Sequence, residues 1–295
     1  NVYLVPYDFH ETMVQPLNAL HTLPSAIDES ASAAVQIALT GTDDGQLIFT
    51  KSSGKLMAWS STSPIAHAGS TERIEAFITG LCAVSADEYV TTVADAAGLA
   101  AYGLDAPRRL IAAFQDGTIR DIHLGSDAGD GMVYARMDRT GDIYRIRRTQ
   151  LTFAESAGLN TLLDRFVSPV VVATLSQVRL TTVDGETTLR IEYENGDDNI
   201  GQRWFWDENA VTRDEFTDAY LSIIALQFDQ TAPQEAAGTF LLADVTFTLR
   251  DGSTSTVRYE ACDAFYALVT TDGGGRFLVR LTDVENMLTV LKGEK

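Results

Sequence analysis

The chain of 295 residues carries one pattern of elements twice. Asp116-Gly117 and Asp251-Gly252 lie in matching turns 135 residues apart, and Trp59 and Trp206 lie in matching apolar segments 147 residues apart. An offset that drifts by a few residues is typical of a duplicated domain with loop insertions, because solenoid repeats have periods of only about 20–50 residues. We therefore expect two copies of one scaffold, with functional residues among the positions at which the copies differ.

Each copy combines strand-like and helix-like patterns in the same order. Apolar and polar residues alternate from residue 35, and again from residue 178, between turns rich in Gly and Asp, which predicts a three-stranded meander in each copy. A run with helical spacing follows, and in the second copy Thr212 and Glu215 form a capping-box signature. The Asp-Gly turns then predict hairpins. The predicted buried helix positions are Ile74, Phe77, Ile78, Leu81 and Cys82, and then Phe216, Ala219, Tyr220, Ile223 and Ile224.

This order of elements predicts an α+β fold. Short turns between strands, with an intervening helix, favour an antiparallel sheet packed against one or two helices in each copy. The predicted organisation is a lead-in at 1–33, a first copy at 34–150, a connecting segment at 151–175 with a short helix around 159–166, and a second copy at 176–295.

The composition excludes some classes of protein. The 41 acidic residues outnumber the 22 basic ones, which gives a net charge of −19 and makes binding to nucleic acid or anionic lipid unfavourable. The chain has no run of 18 apolar residues, so we expect no transmembrane segment in it. Because it begins at Asn1 and not at Met, we expect that a signal peptide or membrane anchor once preceded it.

The two cysteines lie far apart in the sequence. Cys82 falls on the apolar side of a predicted helix and Cys262 in a predicted strand. Cysteine packs readily as a small apolar residue, so we expect two separate buried thiols in preference to a disulfide.

One stretch of the first copy resembles a known family. It begins with Tyr-Gly-Leu-Asp-x-Pro at 102–107 and continues through Asp116-Gly117, Leu124-Gly125 and Tyr134-Ala135-Arg136. This pattern, close over 95–150, is similar to an uncharacterised bacterial family of domains of unknown function. The resemblance implies an N-terminal membrane anchor and genes near ABC transporters of the gliding-motility type, and it supplies no catalytic residues. The second copy lacks the motif.

Three residues are candidate partner contacts. Tyr102 and Asp105 belong to the motif, although a helix ending at Tyr102, with Gly103 as its left-handed cap, would explain most of that loop structurally. Phe205 lies between Trp204 and Trp206 and points to the opposite face of its strand. The two tryptophans are expected to face the core, which leaves Phe205 as an exposed aromatic side chain.

We identify no catalytic, cofactor-binding or metal-binding residue in the sequence. The acidic segments Asp43-Asp44, Asp127/Asp130 and Asp197–Asn199 coincide with expected turns and lack the ligand spacing of a calcium loop. The histidines have no metal-ligand spacing, and His123 is expected on the polar face of a hairpin strand. The four histidines are His10, His21, His67 and His123.

These observations favour a non-enzymatic, extracytoplasmic module that binds another protein, as an accessory to an ABC-type transporter or another cell-envelope protein. Two alternatives stay open at this point. One is a module that binds carbohydrate or peptide in a groove between the two copies, and the other is a hydrolase with an acidic site.

Overall fold

The computed structural model describes residues 23–52, 58–92, 95–137, 142–193 and 201–293. They form two compact units, each built on a nine-stranded antiparallel sheet with accompanying helices. The first unit contains the described residues up to Pro64 and the segment Gly69–Leu162, and the second contains Ile65–Ala68 and the described residues from Leu163 onward. The predicted tandem α+β fold is confirmed.

The first sheet has the strand order β4-β3-β2-β1-β6-β7-β8-β9-β5. Its strands are β1 (Ala34–Thr42), β2 (Gly45–Lys51), β3 (Trp59–Ser63), β4 (His67–Gly69), β5 (Glu88–Thr92), β6 (Arg108–Phe114), β7 (Ile119–Gly129), β8 (Met132–Met137) and β9 (Asp142–Arg147). Its helices are α1 (Thr71–Cys82), α2 (Ala96–Ala100), α3 (Thr152–Glu155) and α4 (Leu159–Leu162), with short 3-10 turns at Ala31–Ala33 and Arg148–Leu151.

The second sheet has the order β13-β12-β11-β10-β15-β16-β17-β18-β14. Its strands are β10 (Leu175–Thr182), β11 (Gly185–Tyr193), β12 (Gln202–Trp206), β13 (Asn209–Val211), β14 (Phe228–Thr231), β15 (Phe240–Leu249), β16 (Thr254–Ala261), β17 (Tyr266–Thr271) and β18 (Arg276–Arg280). Its helices are α5 (Arg213–Ile224) and α6 (Leu281–Leu291), with a 3-10 turn at Val172–Thr174.

The two sheets have the same topology. In each, four strands run outward to one edge, a helix follows, one strand joins the opposite edge, and the chain then returns to the middle for four more strands. The sequence prediction of three strands before the helix was wrong, because it missed the three-residue strands β4 and β13. It also missed the edge strands β5 and β14, which are too short to establish a clear alternation.

The helix of each copy covers one face of its sheet, which we call the inner face. In the first unit Ile37 and Leu39 of β1 lie opposite Ala112 and Leu110 of β6, and all four are buried. The buried side of α1 consists of Ile74, Phe77, Ile78 and Leu81, which are four of the five predicted positions, whereas the fifth, Cys82, is only half-buried.

Helix α5 of the second copy has the predicted cap, and four of its five predicted positions are buried, whereas Ile224 is half-buried. The Thr212 hydroxyl accepts a hydrogen bond from Glu215 N, and the Glu215 carboxylate accepts one from Thr212 N, which completes the predicted capping box. Phe216 of this helix packs against Trp204 with ring centroids 4.7 Å apart, so Trp204 faces inward as expected.

The helix predicted between the copies is shorter in the structure, and the short helix α3 precedes it. Helix α4 ends at Leu162, whereas the sequence suggested a helix to about residue 166. The helix is anchored from elsewhere in its unit, because the Asp44 carboxylate accepts a hydrogen bond of 2.7 Å from Leu159 N. Both cysteines are free thiols, and both are half-buried, whereas the sequence predicted buried thiols. Cys262 was predicted in a strand and lies one residue beyond β16. Among the described residues no helix has the length and apolar character needed to cross a membrane.

Candidate functional site

The Tyr-Gly-Leu-Asp-x-Pro motif lies in the connection from β5 to β6. Gly103 N donates to Ala100 O at 3.1 Å and Leu104 N donates to Leu99 O at 3.0 Å. With Gly103 at φ 67° and Leu104 buried, this is a Schellman motif that ends α2. The predicted helix cap is confirmed, and it accounts for the glycine and the leucine of the motif structurally.

Tyr102 holds this connection against the outer face of the sheet, the face opposite α1. Its ring meets that of Tyr134 edge-on, with centroids 4.9 Å apart, and its carbonyl accepts a hydrogen bond of 2.8 Å from Ser126 N. A Cβ at Gly125 would lie only 2.2 Å from Tyr102 O. Three separate parts of the pattern that carried the family resemblance, the Tyr-Gly loop, Leu-Gly and Tyr-Ala-Arg, therefore meet at one place.

Asp105 is the exposed member of the motif. Among the residues that the structure describes, it has no hydrogen-bond or ion-pair partner. It follows the buried Leu104 and precedes Pro107, so its carboxylate lies at the surface beside the point where the connection enters β6.

In the second copy, different contacts hold the equivalent connection from β14 to β15. Arg276 on β18 donates hydrogen bonds to the carbonyl oxygens of Gln234, at 3.2 Å, and of Ala236. Gly238 stands where Gly103 stands in the first copy, and a Cβ there would lie 2.5 Å from Glu260 Cβ. Both connections therefore place a glycine close to the sheet, but the described residues of the second connection form no helix and Gly238 is not left-handed, so the path differs between the copies as well as the side chains.

Next to this loop, the outer face of the first sheet carries four charged or titratable residues on three adjacent strands. Arg109 on β6 lies opposite His123 on β7, and His123 lies opposite Arg136 on β8. Asp121 is two residues from His123 on the same strand and so shares its face. We call Arg109, Asp121, His123 and Arg136 the outer-face cluster.

Asp121 is the buried centre of this cluster, with its side chain only 5% exposed. Its Oδ2 accepts a hydrogen bond of 3.0 Å from Arg109 Nε and lies 3.1 Å from His123 Nε2. Burial alone would raise the pKa of Asp121, but the hydrogen bonds and positive charge of His123 and Arg109 outweigh it and lower the pKa. The second carboxylate oxygen, Oδ1, is buried without a hydrogen-bond partner.

Arg136 is half-buried and its Nε is enclosed without an acceptor. Within the described part of the chain its guanidinium has no ion-pair partner, although acidic residues outnumber basic ones almost two to one. Among the described residues, most guanidinium groups pair with carboxylates or backbone carbonyls. Arg145 contacts Glu88 at 2.6 Å, although its Nε, like that of Arg108, is also enclosed without an acceptor, so the missing ion pair is what distinguishes Arg136. An enclosed and unsatisfied donor on a cation costs stability and calls for a functional explanation.

The second copy has an ordinary ion pair in the same place. The positions of Arg109 and His123 are occupied by Asp244 and Arg258, which lie opposite each other and pair through hydrogen bonds of 2.9 and 3.0 Å. Thr256 and Thr270 stand where the first copy has Asp121 and Arg136. The outer-face cluster is therefore a property of the first copy and not of the scaffold.

The sequence prediction placed His123 on a polar strand face, and the structure confirms that position, but the rest of the cluster was missed. The available signal was the spacing Asp121-x-His123, which puts two titratable residues on one face of a strand. A second signal was the replacement of Arg109 by Asp244 between otherwise matching strands.

Phe205 lies on the outer face of the second sheet, as predicted from its neighbours. It is half-buried, however, and the Arg190 guanidinium stacks on its ring at 4.3 Å from the centroid. Arg190 in turn contacts Glu192, which also pairs with Arg203. The expectation of a freely exposed aromatic contact is corrected accordingly, because a cation–π contact already covers one ring face.

The acidic turns show no arrangement for a metal ion in the part of the chain that the structure describes, where no group of three or more suitable ligands is present. Asp44 caps α4, and Asp127 accepts a hydrogen bond of 2.8 Å from Gly129 N and pairs with Arg148. Asp43 lines a polar cavity of about 370 Å³ together with Arg108 and Glu155. The predicted turn at Asp197–Asn199, and His10 and His21, lie outside the described residues.

Comparison with known proteins places the chain in a family. The profile of a domain of unknown function, DUF4340, matches residues 59–244. The chain belongs to the DUF4340 family. The match begins in the first copy, includes the motif loop and the outer-face cluster, and ends in β15 of the second copy.

The family assignment confirms the resemblance to a domain of unknown function and carries no activity with it. No curated protein and no solved structure matches the chain.

Proposed function

We propose that this DUF4340 protein is a non-enzymatic, extracytoplasmic module that binds another protein through the outer face of its first copy. The observation that carries the proposal is the outer-face cluster, in which Arg136 has no ion-pair partner among the described residues, on a scaffold whose second copy has a simple ion pair in the same place. Two copies with one topology and different outer faces fit a molecule in which one face was adapted for recognition.

The neighbouring motif loop extends the proposed contact surface. Tyr102 packs beside Tyr134 on the strand that carries Arg136, and the exposed Asp105 lies at the end of the same loop. An aromatic pair next to a guanidinium is typical of the residues that dominate binding energy at protein interfaces. We propose that the partner is a cell-envelope protein of the ABC-transporter type, in line with the context that the motif implies.

The proposal is tested by capture of the partner. An affinity-tagged chain, produced with its natural N-terminal sequence in the native organism, is cross-linked in intact cells and purified from the membrane fraction, and its partners are identified by mass spectrometry. We expect one envelope protein to be enriched with the wild-type chain. Replacement Arg136→Gln is expected to reduce the recovery of that same protein about tenfold, since hydrogen bonds to charged groups contribute about 1.5–3 kcal/mol.

The matched control is Arg258→Gln, which removes the arginine at the His123-equivalent position of the second copy. It is expected to leave recovery of the partner unchanged. Equal losses for the two variants would contradict a site on the first copy. Recovery of the chain as a soluble cytoplasmic monomer without partners would contradict the proposed function and location together.

A further inference from the structure

The outer-face cluster contains two buried polar atoms, of which one needs a hydrogen-bond acceptor and the other a hydrogen-bond donor. Arg136 Nε is an enclosed donor and Asp121 Oδ1 is an enclosed acceptor, and neither has a partner within the described residues. Residues diagonal to each other on adjacent strands have Cα atoms about 7–8 Å apart, which is within reach of one extended ligand. Because His123 lies opposite Arg136, Asp121 is diagonal to Arg136 in this sense.

The charges indicate what the ligand must carry. Even without counting His123, two arginines and one aspartate give the cluster a net positive charge within a chain of net charge −19. Asp121 is already engaged through Oδ2 with Arg109, whereas no carboxylate of the described residues pairs with the guanidinium of Arg136. The planar guanidinium fork matches a carboxylate in two parallel hydrogen bonds.

A simple anion satisfies only half of the site. Acetate offers acceptors to Arg136 but no donor to Asp121 Oδ1, and a second anion beside Asp121 would be repelled. A polypeptide with an acidic side chain offers both groups at once, a carboxylate and a backbone N–H. We therefore propose, resting on the proposed function above, that the outer-face cluster binds an acidic side chain of the partner protein together with an adjacent backbone N–H.

The probe is a blocked pentapeptide, acetyl-Ala-Gly-Glu-Gly-Ala-amide, compared with the same peptide carrying Gln in place of Glu and with acetate. The chain is labelled with nitrogen-15, and the arginine Nε–Hε signals are followed by NMR during titration. The Arg136 signal is identified by its loss in the Arg136→Lys variant, and the Arg258 signal, identified in the same way, serves as the matched control.

We expect the Glu peptide to shift the Arg136 signal, with a dissociation constant in the millimolar range that is about tenfold lower than for the Gln peptide or for acetate. The Asp121→Asn variant is expected to lose part of this preference over acetate, because an amide is a weaker acceptor than a carboxylate. Added salt is expected to weaken binding.

Several results would overturn the inference. Equal shifts of the Arg136 signal with the Glu and Gln peptides would show that binding does not require a carboxylate. Equal shifts with the Glu peptide and with acetate would show that binding does not require the backbone N–H. If the Arg258 signal shifts as much as the Arg136 signal, or if neither signal shifts, the peptide does not bind specifically at the outer-face cluster. Capture of a partner in cells that depends on Arg136 would preserve the proposed function in each of these cases.

A second measurement separates recognition from folding. If Arg136 serves binding, Arg136→Met should give an unbound protein whose thermal midpoint equals or exceeds that of the wild type, because the substitution removes a half-buried cation that has no ion-pair partner among the described residues. A clear decrease in the midpoint would mean that Arg136 supports the fold, and would contradict its assignment to a ligand.

Discussion

Gly103 shows how a single residue determines the position of the motif loop. It lies at φ 67°, and a Cβ there would lie 2.7 Å from Ser126 N. Two separate physical effects therefore exclude a side chain, one from the backbone conformation and one from contact with a neighbouring strand. Gly117, in the Asp-Gly turn, has φ 85° and open space around it, so only the first effect applies there.

We predict that Gly103→Ala destabilises the first unit more than Gly117→Ala does. The Gly117 variant should lower the free energy of unfolding by about 1–2 kcal/mol, the cost of a left-handed non-glycine residue. The Gly103 variant should lose that amount and about 1–3 kcal/mol more, because the clash is with backbone that cannot rotate away. Urea unfolding of the two variants measures the difference, and equal losses would contradict the close packing at Ser126.

At the scale of elements, the two equivalent helices begin differently. Thr212 caps α5 in a reciprocal capping box with Glu215, whereas Ser70, at the N-cap of α1, makes no capping hydrogen bond with its side chain. The helices share a length of 12 residues and a buried apolar side. They therefore provide a comparison in which the cap is the main local difference.

We predict that Thr212→Ala lowers the free energy of unfolding by about 1 kcal/mol, the usual contribution of an N-cap side chain. Ser70→Ala should have an effect near zero, because no capping bond is lost. Urea unfolding followed by circular dichroism measures both variants. Equal effects at the two positions would show that the capping box contributes no stability of its own.

At the scale of the whole molecule, titratable residues in both units make stability depend on pH, and His67 and Asp121 are two of them. In the second unit His67 packs against Phe277, with ring centroids 4.8 Å apart, and lies 3.1 Å from Asp164 O. Burial lowers the pKa of His67 despite the opposing effect of this hydrogen bond. In the first unit the pKa of Asp121 is lowered by His123 and Arg109 against the effect of burial.

The lowered pKa values of His67 and Asp121 predict losses of stability in different pH ranges. A histidine with a lowered folded-state pKa binds its proton more readily when unfolded, so stability falls as pH drops below its ordinary pKa of about 6.5. An aspartate with a lowered folded-state pKa contributes stability that is complete above its ordinary pKa of about 3.9. That contribution is lost as pH falls from this value through the folded-state pKa.

The measurement is urea unfolding between pH 3 and pH 8, followed by tryptophan fluorescence. Trp59 belongs to the first unit and Trp204 and Trp206 to the second, so a Trp59→Phe variant reports on the second unit alone. We predict that His67→Gln flattens the dependence near pH 6 and that Asp121→Asn flattens the dependence below about pH 4. A His67→Gln variant with the wild-type slope near pH 6 would contradict the role of this histidine.

The sequence alone determined the local features of this protein. The Asp-Gly turns, the apolar faces of α1 and α5, the cap at Thr212 and the left-handed end at Gly103 each depend on residues within a few positions of one another. Such features follow from backbone conformation and periodicity, which neighbouring residues control. The duplication was also readable, because two copies of one pattern reveal themselves by comparison.

Only the tertiary structure decided the features that depend on distant residues. It brought Tyr102, Gly125 and Tyr134 together, and it placed Arg109, His123 and Arg136 in one row across three strands. Strand pairing sets these contacts, and pairing depends on register and on sheet order, which a single sequence does not specify. The physical reason is that short edge strands and long-range partners are selected by packing, so the candidate site appeared only once the sheet was assembled.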